Sequence, residues 1–597
     1  MMETVGNPKL EYTERLSALR LLESKTARGD KVLGMSKIFM FAILLIFVAW
    51  LAKHHPSQIF FVLIPALGLL FLIVLHERVL KFLKHHRRLI AWYERGMARL
   101  EDRWCGGGTT GERFLKATHP YARDLDIFGS GSIFELLCTA RTSAGEETLA
   151  QWLLFAAEPT EIIARQAAVE ELRSRLALRE SLATTGEDVR AKVHPELLST
   201  WGEGAGIRKT RALRWGTAML AMLWLGSLVF WVLKGQATFF LALCVINLAM
   251  TGYLRKKVDG AALAVERITQ DLAVLAKVLA CIEQEKFSTE KLVALQGKLQ
   301  TTGERASHAI DRLGRWVRWL ESRRNLILKS LDPFVFWTAQ CSFALEDWRA
   351  KHGGAIRGWM ATVGAMEALS ALACYAYENP ENMFPEFVAE GPRLDATGLS
   401  HPLLPREKAV VNDLQLNAAM QMFMVSGPNM AGKSTFLRGV GVNVVLAQCG
   451  APVRATRLVL SSLTVTASIC VLDSLQGGIS RFYAEIQRLK HISDLTEGSI
   501  PVLFLLDELL SGTNSHDRRQ GTELIVKSLV NHGAIGLVTT HDLALAEIVT
   551  VMEQKATNVH FSDQFENGTL SFDYQLHPGV VQTSNALHLM RSIGLKI

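Results

Sequence analysis

At 597 residues the chain is too long for one ordinary domain. Its 49% hydrophobic and 21% charged residues make it more apolar than a typical soluble enzyme, and that balance calls for a search for membrane spans. The net charge of +7 suits nucleic acid or anionic lipid without choosing between them, and eight cysteines scattered from Cys105 to Cys470 with no CxxC pair argue against a zinc site or a disulfide scaffold and fit a reducing cytoplasm.

Residues 1–30 read as a charged, cytoplasmic N-terminal helix. Four uncharged apolar runs follow in two pairs: Ile38–Ala52 with Ile59–Leu75, and Trp215–Leu233 with Ala237–Leu254. Each is slightly shorter than the ~20 residues that span a bilayer. Lys53-His54-His55-Pro56 joins the first pair and Lys234-Gly235-Gln236 the second, so each pair is a helical hairpin with both outer ends on one side. The runs are apolar all round, whereas a buried core helix is usually amphipathic. The expected organisation is therefore a first transmembrane hairpin over 31–80 and a second over 211–257. Basic residues flank the outer ends: Arg78, Lys81, Lys84, Arg87 and Arg88, then Arg208, Lys209, Arg211 and Arg214, then Arg255, Lys256 and Lys257. Such residues concentrate on the cytoplasmic side, so both termini are expected there.

Between the hairpins, residues 81–119 read as a helical linker broken at Cys105-Gly106-Gly107-Gly108. Residues 120–210 carry apolar residues at mostly helical spacing, as in Ile162, Ala167, Leu172 and Leu176. Residues 258–400 read as long helices ending in a linker marked by Pro380, Pro385 and Pro392. From 401 to 597 short apolar strands alternate with helices, the texture of an α/β domain.

The strongest motif lies there. Gly427-Pro428-Asn429-Met430-Ala431-Gly432-Lys433-Ser434-Thr435 fits GxxxxGK[ST] in full, after the apolar strand Met422–Val425 and before a helix. Glycines let backbone N–H groups curl around phosphate, and the helix N-terminus adds its positive end. Lys433 would reach the β and γ phosphates and the Ser434 hydroxyl would bind Mg²⁺. Leu503-Phe504-Leu505-Leu506 forms a second buried strand, after which Asp507 would hold the Mg²⁺ shell and Glu508 would orient and deprotonate the attacking water. A third strand, Ile535–Val538, leads to Thr539-Thr540-His541-Asp542, where His541 can sense the γ-phosphate. Ser480-Arg-Phe-Tyr-Ala-Glu485 follows Gly477-Gly478 and opens a helix, so Ser480 is either a helix cap or a phosphate-binding hydroxyl.

The wording of these motifs resembles the MutS family of DNA mismatch-repair ATPases, which are ABC-like P-loop enzymes. The phosphate loop is nearly that family's, with Ala431 where a glycine is usual. His401-Pro402, Val411-Asn412-Asp413, the run from Ser511 to Asp517, Thr540-His541, Asn558-Val559-His560 and the tail Ser592-Ile593-Gly594-Leu595 match it as well. Upstream, Leu125-Asp126-Ile127-Phe128, Ser132 to Leu137, Trp152-Leu153 and Ala168 to Leu172 resemble the start of the MutS core domain, and the helices of 258–376 its levers. The resemblance implies ATP and Mg²⁺ as cofactors. It also implies a homodimer in which Ser480, with Arg481 where threonine is usual, acts on the partner's nucleotide.

The family's mismatch-reading domain, with its Phe-x-Glu wedge, is expected to be absent, because the first hairpin occupies its place and Phe384-Pro385-Glu386 sits in the linker. The C-terminal dimerisation extension and any nuclease tail are likewise expected to be absent. The function expected is that of a membrane-anchored MutS-type ATPase that couples ATP hydrolysis to DNA binding through backbone contacts, without sharp mismatch preference. The alternative is an ABC-like ATPase that moves its own hairpins or an unknown membrane or repair partner without DNA. A solute transporter is disfavoured, since the spans carry no charge. The expected location is the inner, cytoplasmic membrane of a bacterium, with the ATPase domain in the cytoplasm. A membrane-impermeant thiol reagent is expected to label Gly235→Cys in intact cells and to leave Ser511→Cys unlabelled; labelling at 511 would reverse the orientation.

Overall fold

The computed structural model describes residues 7–185, 195–204, 210–266, 272–300, 303–322, 325–428, 430–469, 481–552, 554–566 and 569–581. By its internal contacts the chain divides into two units, one of Met1–Trp104 with Glu180–Glu187, the other of Cys105–Arg179 with Asp188–Ile597.

The first unit is a helical hairpin. Helix α1 spans Pro8–His54 and α2 spans Leu63–Leu100, joined by a 3₁₀ stretch over Pro56–Val62. The Asn7 side chain caps α1 by accepting from the Lys9 N–H, and Pro8 occupies the first turn, where no N–H is needed. The charged N-terminal segment and the first apolar run are thus one unbroken helix. Its first turns are held by aromatic packing: the Tyr12 ring lies 5.9 Å from Trp92 and 5.3 Å from Tyr93. The Tyr93 hydroxyl donates to Glu180 at 2.6 Å. Further along, His76 Nε2 meets Asp30 Oδ1 at 2.6 Å.

The second unit opens with short helices α3 (Ile133–Leu137), α4 (Ser143–Leu154) and α5 (Pro159–Arg173), followed by α6 (Leu176–Thr185), whose last residues belong to the first unit, and α7 (Pro195–Glu203). A second apolar hairpin, α8 (Thr210–Lys234) and α9 (Thr238–Glu266), turns at Gly235 with φ +72°. Then come α10 (Leu272–Gln284), α11 (Glu290–Gly297), α12 (Ala306–Glu321), α13 (Leu326–Val335), α14 (Trp337–His352) and α15 (Ile356–Glu378). Helix α15 is almost wholly buried and packs on α4. A carboxylate makes the joint: Glu367 accepts from the Thr142 N–H at 3.1 Å and hydroxyl at 2.6 Å. Burial nevertheless pushes its pKa up to about 7.

Among the described residues, four helices are long and apolar enough to cross a membrane: Pro8–His54, Phe60–Leu100, Ala212–Lys234 and Thr238–Arg255.

The C-terminal part is mixed α/β. Its strands are β1 (Glu386–Phe387), β2 (Arg393–Leu399), β3 (Asn412–Asn417), β4 (Met422–Ser426), β5 (Arg457–Leu460), β6 (Thr464–Ser468), β7 (Val502–Asp507), β8 (Ile535–Thr540), β9 (Ala556–Glu566) and β10 (Thr569–Pro578). Helices α16 (Lys433–Cys449), α17 (Arg481–Leu495), α18 (Ser515–Asn531) and the short α19 (Leu543–Ala546) lie among them. The larger sheet has the order β10-β9-β4-β8-β7-β6, parallel except for β10. A smaller sheet has the order β1-β5-β2-β3. It draws β1 and β2 from before residue 400, so the α/β part begins upstream of the boundary expected at His401. The segment Phe384-Pro385-Glu386 runs into β1, and Pro385 accepts a hydrogen bond from Gln166 at 3.0 Å.

Helix α16 is buried from Phe436 to Cys449 on nearly every face, between the large sheet and the helical region. Gly441 permits this: a Cβ there would lie 2.6 Å from a methyl of Leu505 on β7 and 2.7 Å from one of Leu125, and both leucines are fully buried. Gly441→Val is expected to destabilise the chain by about 1–3 kcal/mol through overpacking. Gly358→Ala, where a Cβ meets nothing within 4 Å, is expected to be neutral or mildly stabilising. Melting temperatures of the two variants check this, and an unchanged value for Gly441→Val would show that α16 can shift away from the sheet.

Candidate functional site

Three neighbouring parallel strands end at one place. β4 leads into the glycine loop, β8 lies beside β4, and β7 lies beside β8. The register sets Val425, Thr539 and Asp507 level across the sheet. A parallel sheet with its strand ends on one edge places a ligand outside their C-terminal ends.

The loop from Gly427 to Gly432 turns back through conformations that side chains resist, with φ +144° at Gly427 and +97° at Gly432. A Cβ at Gly427 would lie 2.7 Å from the Phe561 carbonyl oxygen, and one at Gly432 would press on the Tyr574 ring at 3.1 Å. Gly432 is also the N-cap of α16, so the N–H groups of Lys433, Ser434 and Thr435 begin a 17-residue helix without intrahelical partners. The Lys433 ammonium donates to the carbonyls of Gly427 at 2.8 Å and Pro428 at 2.9 Å, which keeps it along the inner side of the loop. Burial lowers its pKa, and the negative charges of Glu508 and Asp507 pull it back up. Ala431 is buried, and Met430, at φ +70°, is 87% exposed.

The carboxylate of Asp507 is held at both oxygens. Ser434 Oγ donates to Oδ2 at 2.7 Å, and the Thr539 hydroxyl donates to Oδ1. Thr539 also accepts from the Glu508 N–H at 3.1 Å. Glu508 has φ +48° and Leu510 +53°, backbone conformations that cost on the order of 1–3 kcal/mol each for such residues. The turn is held open by Glu485 of α17, which accepts from the Leu510 N–H at 2.6 Å. Glu508 Oε1 stands 3.3 Å from His541 Nδ1. The Asp507, Glu508, Lys433, Ser434 and Thr435 side chains line one cavity of about 880 Å³, together with His401, Phe436, Phe561 and Tyr574. That volume falls within the range of small-molecule sites.

The residues fit a phosphate-bearing ligand with a divalent cation. Two positive-φ glycines form a cradle that a side chain would fill, a lysine lies along it, and a hydroxyl–carboxylate pair closes its floor. Among the described residues no group of three or more His, Cys, Asp or Glu could hold a metal ion. A Mg²⁺ held by Ser434 and Asp507 would therefore complete its oxygen shell from phosphates and water, as Mg²⁺ commonly does.

The structure brings together Gly427, Pro428, Met430, Ala431, Gly432, Lys433, Ser434, Thr435, Asp507, Glu508 and His541. Asn429 and Ser480 lie outside the described residues, and so does the tail from 582. Thr539, Glu485 and Tyr574 were not singled out from the sequence. A threonine ending a strand carries no signal of its own, and Tyr574 reaches the loop only through the β9–β10 hairpin. Asn412 holds that hairpin, donating to the Tyr574 carbonyl at 3.1 Å and accepting from the Leu576 N–H at 2.7 Å.

Residues 423–596 match the family model described as MutS domain V. That part of the chain is similar to domain V of the MutS family. It is 29% identical over 285 residues to the DNA mismatch repair protein MutS of Geobacillus thermodenitrificans (strain NG80-2), covering 47% of this chain and 31% of the relative. It is 30% identical over 308 residues to the DNA mismatch repair protein MutS of Thermus caldophilus, covering 51% and 36%. A third protein of that name, from Methanosarcina mazei, is 28% identical over 284 residues, covering 46% and 31%. The chain thus spans about a third of the length of the curated relatives it matches. The matched domain V contains the phosphate loop, Asp507, Glu508 and His541.

One residue on the cavity wall gives a pH dependence. His401 is largely enclosed, and burial, then Arg438 and Arg454, lower its pKa to about 4 from an ordinary 6.5. Its Nδ1 accepts from the Leu403 N–H at 3.2 Å, which requires the neutral ring. The unfolded chain therefore binds the extra proton between pH 6.5 and 4. Stability is complete above 6.5 and falls as the pH drops through that window, by at most about 3 kcal/mol. His401→Asn, which can still accept from Leu403, is expected to flatten this slope in melting temperatures measured between pH 7 and 4; an unaltered slope would place the titration elsewhere.

Proposed function

We propose that the chain is a membrane-anchored, MutS-type ATPase that couples ATP binding and hydrolysis to DNA binding of the mismatch-repair kind. The observation that supports hydrolysis is the convergence of Lys433, Ser434, Asp507 and Glu508 on one cavity at the ends of three parallel strands, with His541 against Glu508. When bound, Mg²⁺–ATP supplies the γ-phosphoryl group and a cation that neutralises its charge. The residues of the chain do the rest. N–H groups at the start of α16 and the Lys433 ammonium bind the phosphate oxygens. Asp507, fixed by Ser434 and Thr539, orients the Mg²⁺ shell. The Glu508 carboxylate accepts a proton from the attacking water, and His541, 3.3 Å away, orients that carboxylate. The resemblance adds a second copy of the chain through Ser480.

The DNA part of the reading rests on what the relatives' names say, DNA mismatch repair, and on the basic excess of the chain. The membrane part rests on exposed apolar surface. Ile38, Phe39, Ile46, Ile64, Val232 and Val245 are each at least two-thirds exposed, on helices apolar enough to span a bilayer. Apolar surface of that extent on each hairpin calls for a cover, and lipid fits such helices.

Glu508→Gln is expected to bind ATP within about threefold of the parent and to hydrolyse it on the order of 10²-fold more slowly, since only the proton acceptor is lost. Phosphate release and binding of a fluorescent ATP analogue, on the full chain in detergent, measure the two. Parent-like turnover would remove Glu508 from the mechanism. In the same preparation, binding to labelled duplex DNA is expected to weaken steeply with salt and to change when ATP is added. DNA affinity undetectable at low salt would leave an ATPase without that partner.

A further inference from the structure

The far end of the second hairpin carries a cavity that the nucleotide site does not use. It measures about 740 Å³ and lies between the C-terminal end of the apolar stretch of α9 and the short helix α13. Leu248, Leu254, Val258 and Phe336 supply apolar wall, and Arg255 and Lys329 supply positive charge. The one carboxylate in the lining, Asp332, is engaged: it accepts from the Thr338 N–H at 2.7 Å and from its hydroxyl at 2.8 Å. Gly252 is part of the lining, and a Cβ there would meet nothing within 4 Å.

The position of α13 says what medium this cavity meets. Its carbonyls at Pro333 and Phe334 accept from Thr251 at 3.0 Å and Asn247 at 3.1 Å, both on the apolar stretch of α9. The Phe334 ring stacks on Trp224 of α8 at 5.2 Å. Helix-end carbonyls satisfied by side chains of a neighbouring span are what a segment at bilayer depth requires. Beside it, Trp316, Trp319 and Trp337 form a cluster with ring centroids 5.0 and 6.2 Å apart, and Trp319 is 49% exposed. Arg214, at the start of α8, lies over Trp316 at 5.7 Å. Tryptophans beside basic residues mark the headgroup level of a bilayer.

We infer that the α9–α13 cavity is a binding site for an anionic phospholipid, with acyl chain against Leu248, Leu254 and Phe336 and phosphate headgroup between Arg255 and Lys329. The inference rests on the membrane reading above. An aqueous anion has no use for the apolar wall, and a zwitterionic headgroup gains less from two cations. The site would make the levers around α13 responsive to the charge of the surrounding leaflet.

The test uses the full chain in detergent micelles with fluorescently labelled phosphatidylglycerol. Unlabelled phosphatidylglycerol is expected to displace it about tenfold better than phosphatidylcholine, and inorganic phosphate not to displace it at all. Lys329→Gln is expected to weaken binding about fivefold and Lys329→Arg to retain it. Gly252→Leu, which adds bulk to the lining and favours the helix, is expected to weaken binding with the melting temperature unchanged or raised. Equal displacement by both lipids, or parent-like binding in Lys329→Gln and Gly252→Leu, would overturn the site. Displacement by phosphate would overturn the lipid and reassign the cations to a soluble anion. Loss of the chain from carbonate-washed membranes would overturn the membrane reading itself, whereas a chain that stays and ignores headgroup charge overturns the site alone.

Discussion

A helix buried on almost every face has to satisfy its polar groups from within, and α16 imposes that demand on the whole α/β part. Asn443 answers it on one side, donating to the Ser400 carbonyl at 2.9 Å and accepting from the Arg454 N–H at 2.8 Å. Gln448 answers it on another, donating to the Leu463 carbonyl at the deep end. The same burial fixes the first turn of the helix, and with it Lys433 and Ser434, relative to β7 and β8. The glycine loop can therefore be strained and still hold one shape, because its two ends are anchored in a sheet and in a closely packed helix.

A second carboxylate extends that order beyond the sheet. Asp124 is buried at 1% exposure. It accepts from the Ile469 N–H at 2.8 Å and pairs with Arg488 of α17, while its backbone carbonyl accepts from Arg438 of α16 at 3.0 Å. The irregular segment before α3 thus touches both the helix that starts at the phosphate loop and the helix whose Glu485 holds the turn after Glu508. Asp124 is thus one of the points at which the helical region meets both sides of the candidate site, alongside the packing of Leu125 against Gly441.

Much of the site was legible in the sequence because its chemistry is contiguous. Gly427 to Thr435 is one run of nine, and Asp507-Glu508 and Thr540-His541 each close an apolar strand, so a coarse division into strands was enough to converge them. Thr539 was hidden because its role comes from register: only the pairing of β7 with β8 puts its hydroxyl between Asp507 and the Glu508 N–H. Glu485 shares a run with Ser480, yet its contact is with a turn 25 residues onward. The start of the α/β part lies upstream of His401 because β1 is only two residues long, β2 follows Pro392, and their partner β5 comes some sixty to seventy residues later. The helix α1 hides its unity for the opposite reason, since composition changes at about residue 31 while backbone geometry does not.

That unbroken helix locks angle to sequence. At 3.6 residues per turn, each residue inserted along α1 rotates everything beyond it by about 100° and advances it by about 1.5 Å. Tyr12 and Leu16 sit buried against α2 at one end, and Leu51 is buried near the other, so both ends already have a fixed azimuth. A single added residue at Gly29 would turn one of these contacts out of the hairpin, whereas seven, close to two full turns, would restore the phase to within about 20°. The length of the segment between them is thus quantised by rotation, a rule that a flexible linker in the same place would never impose.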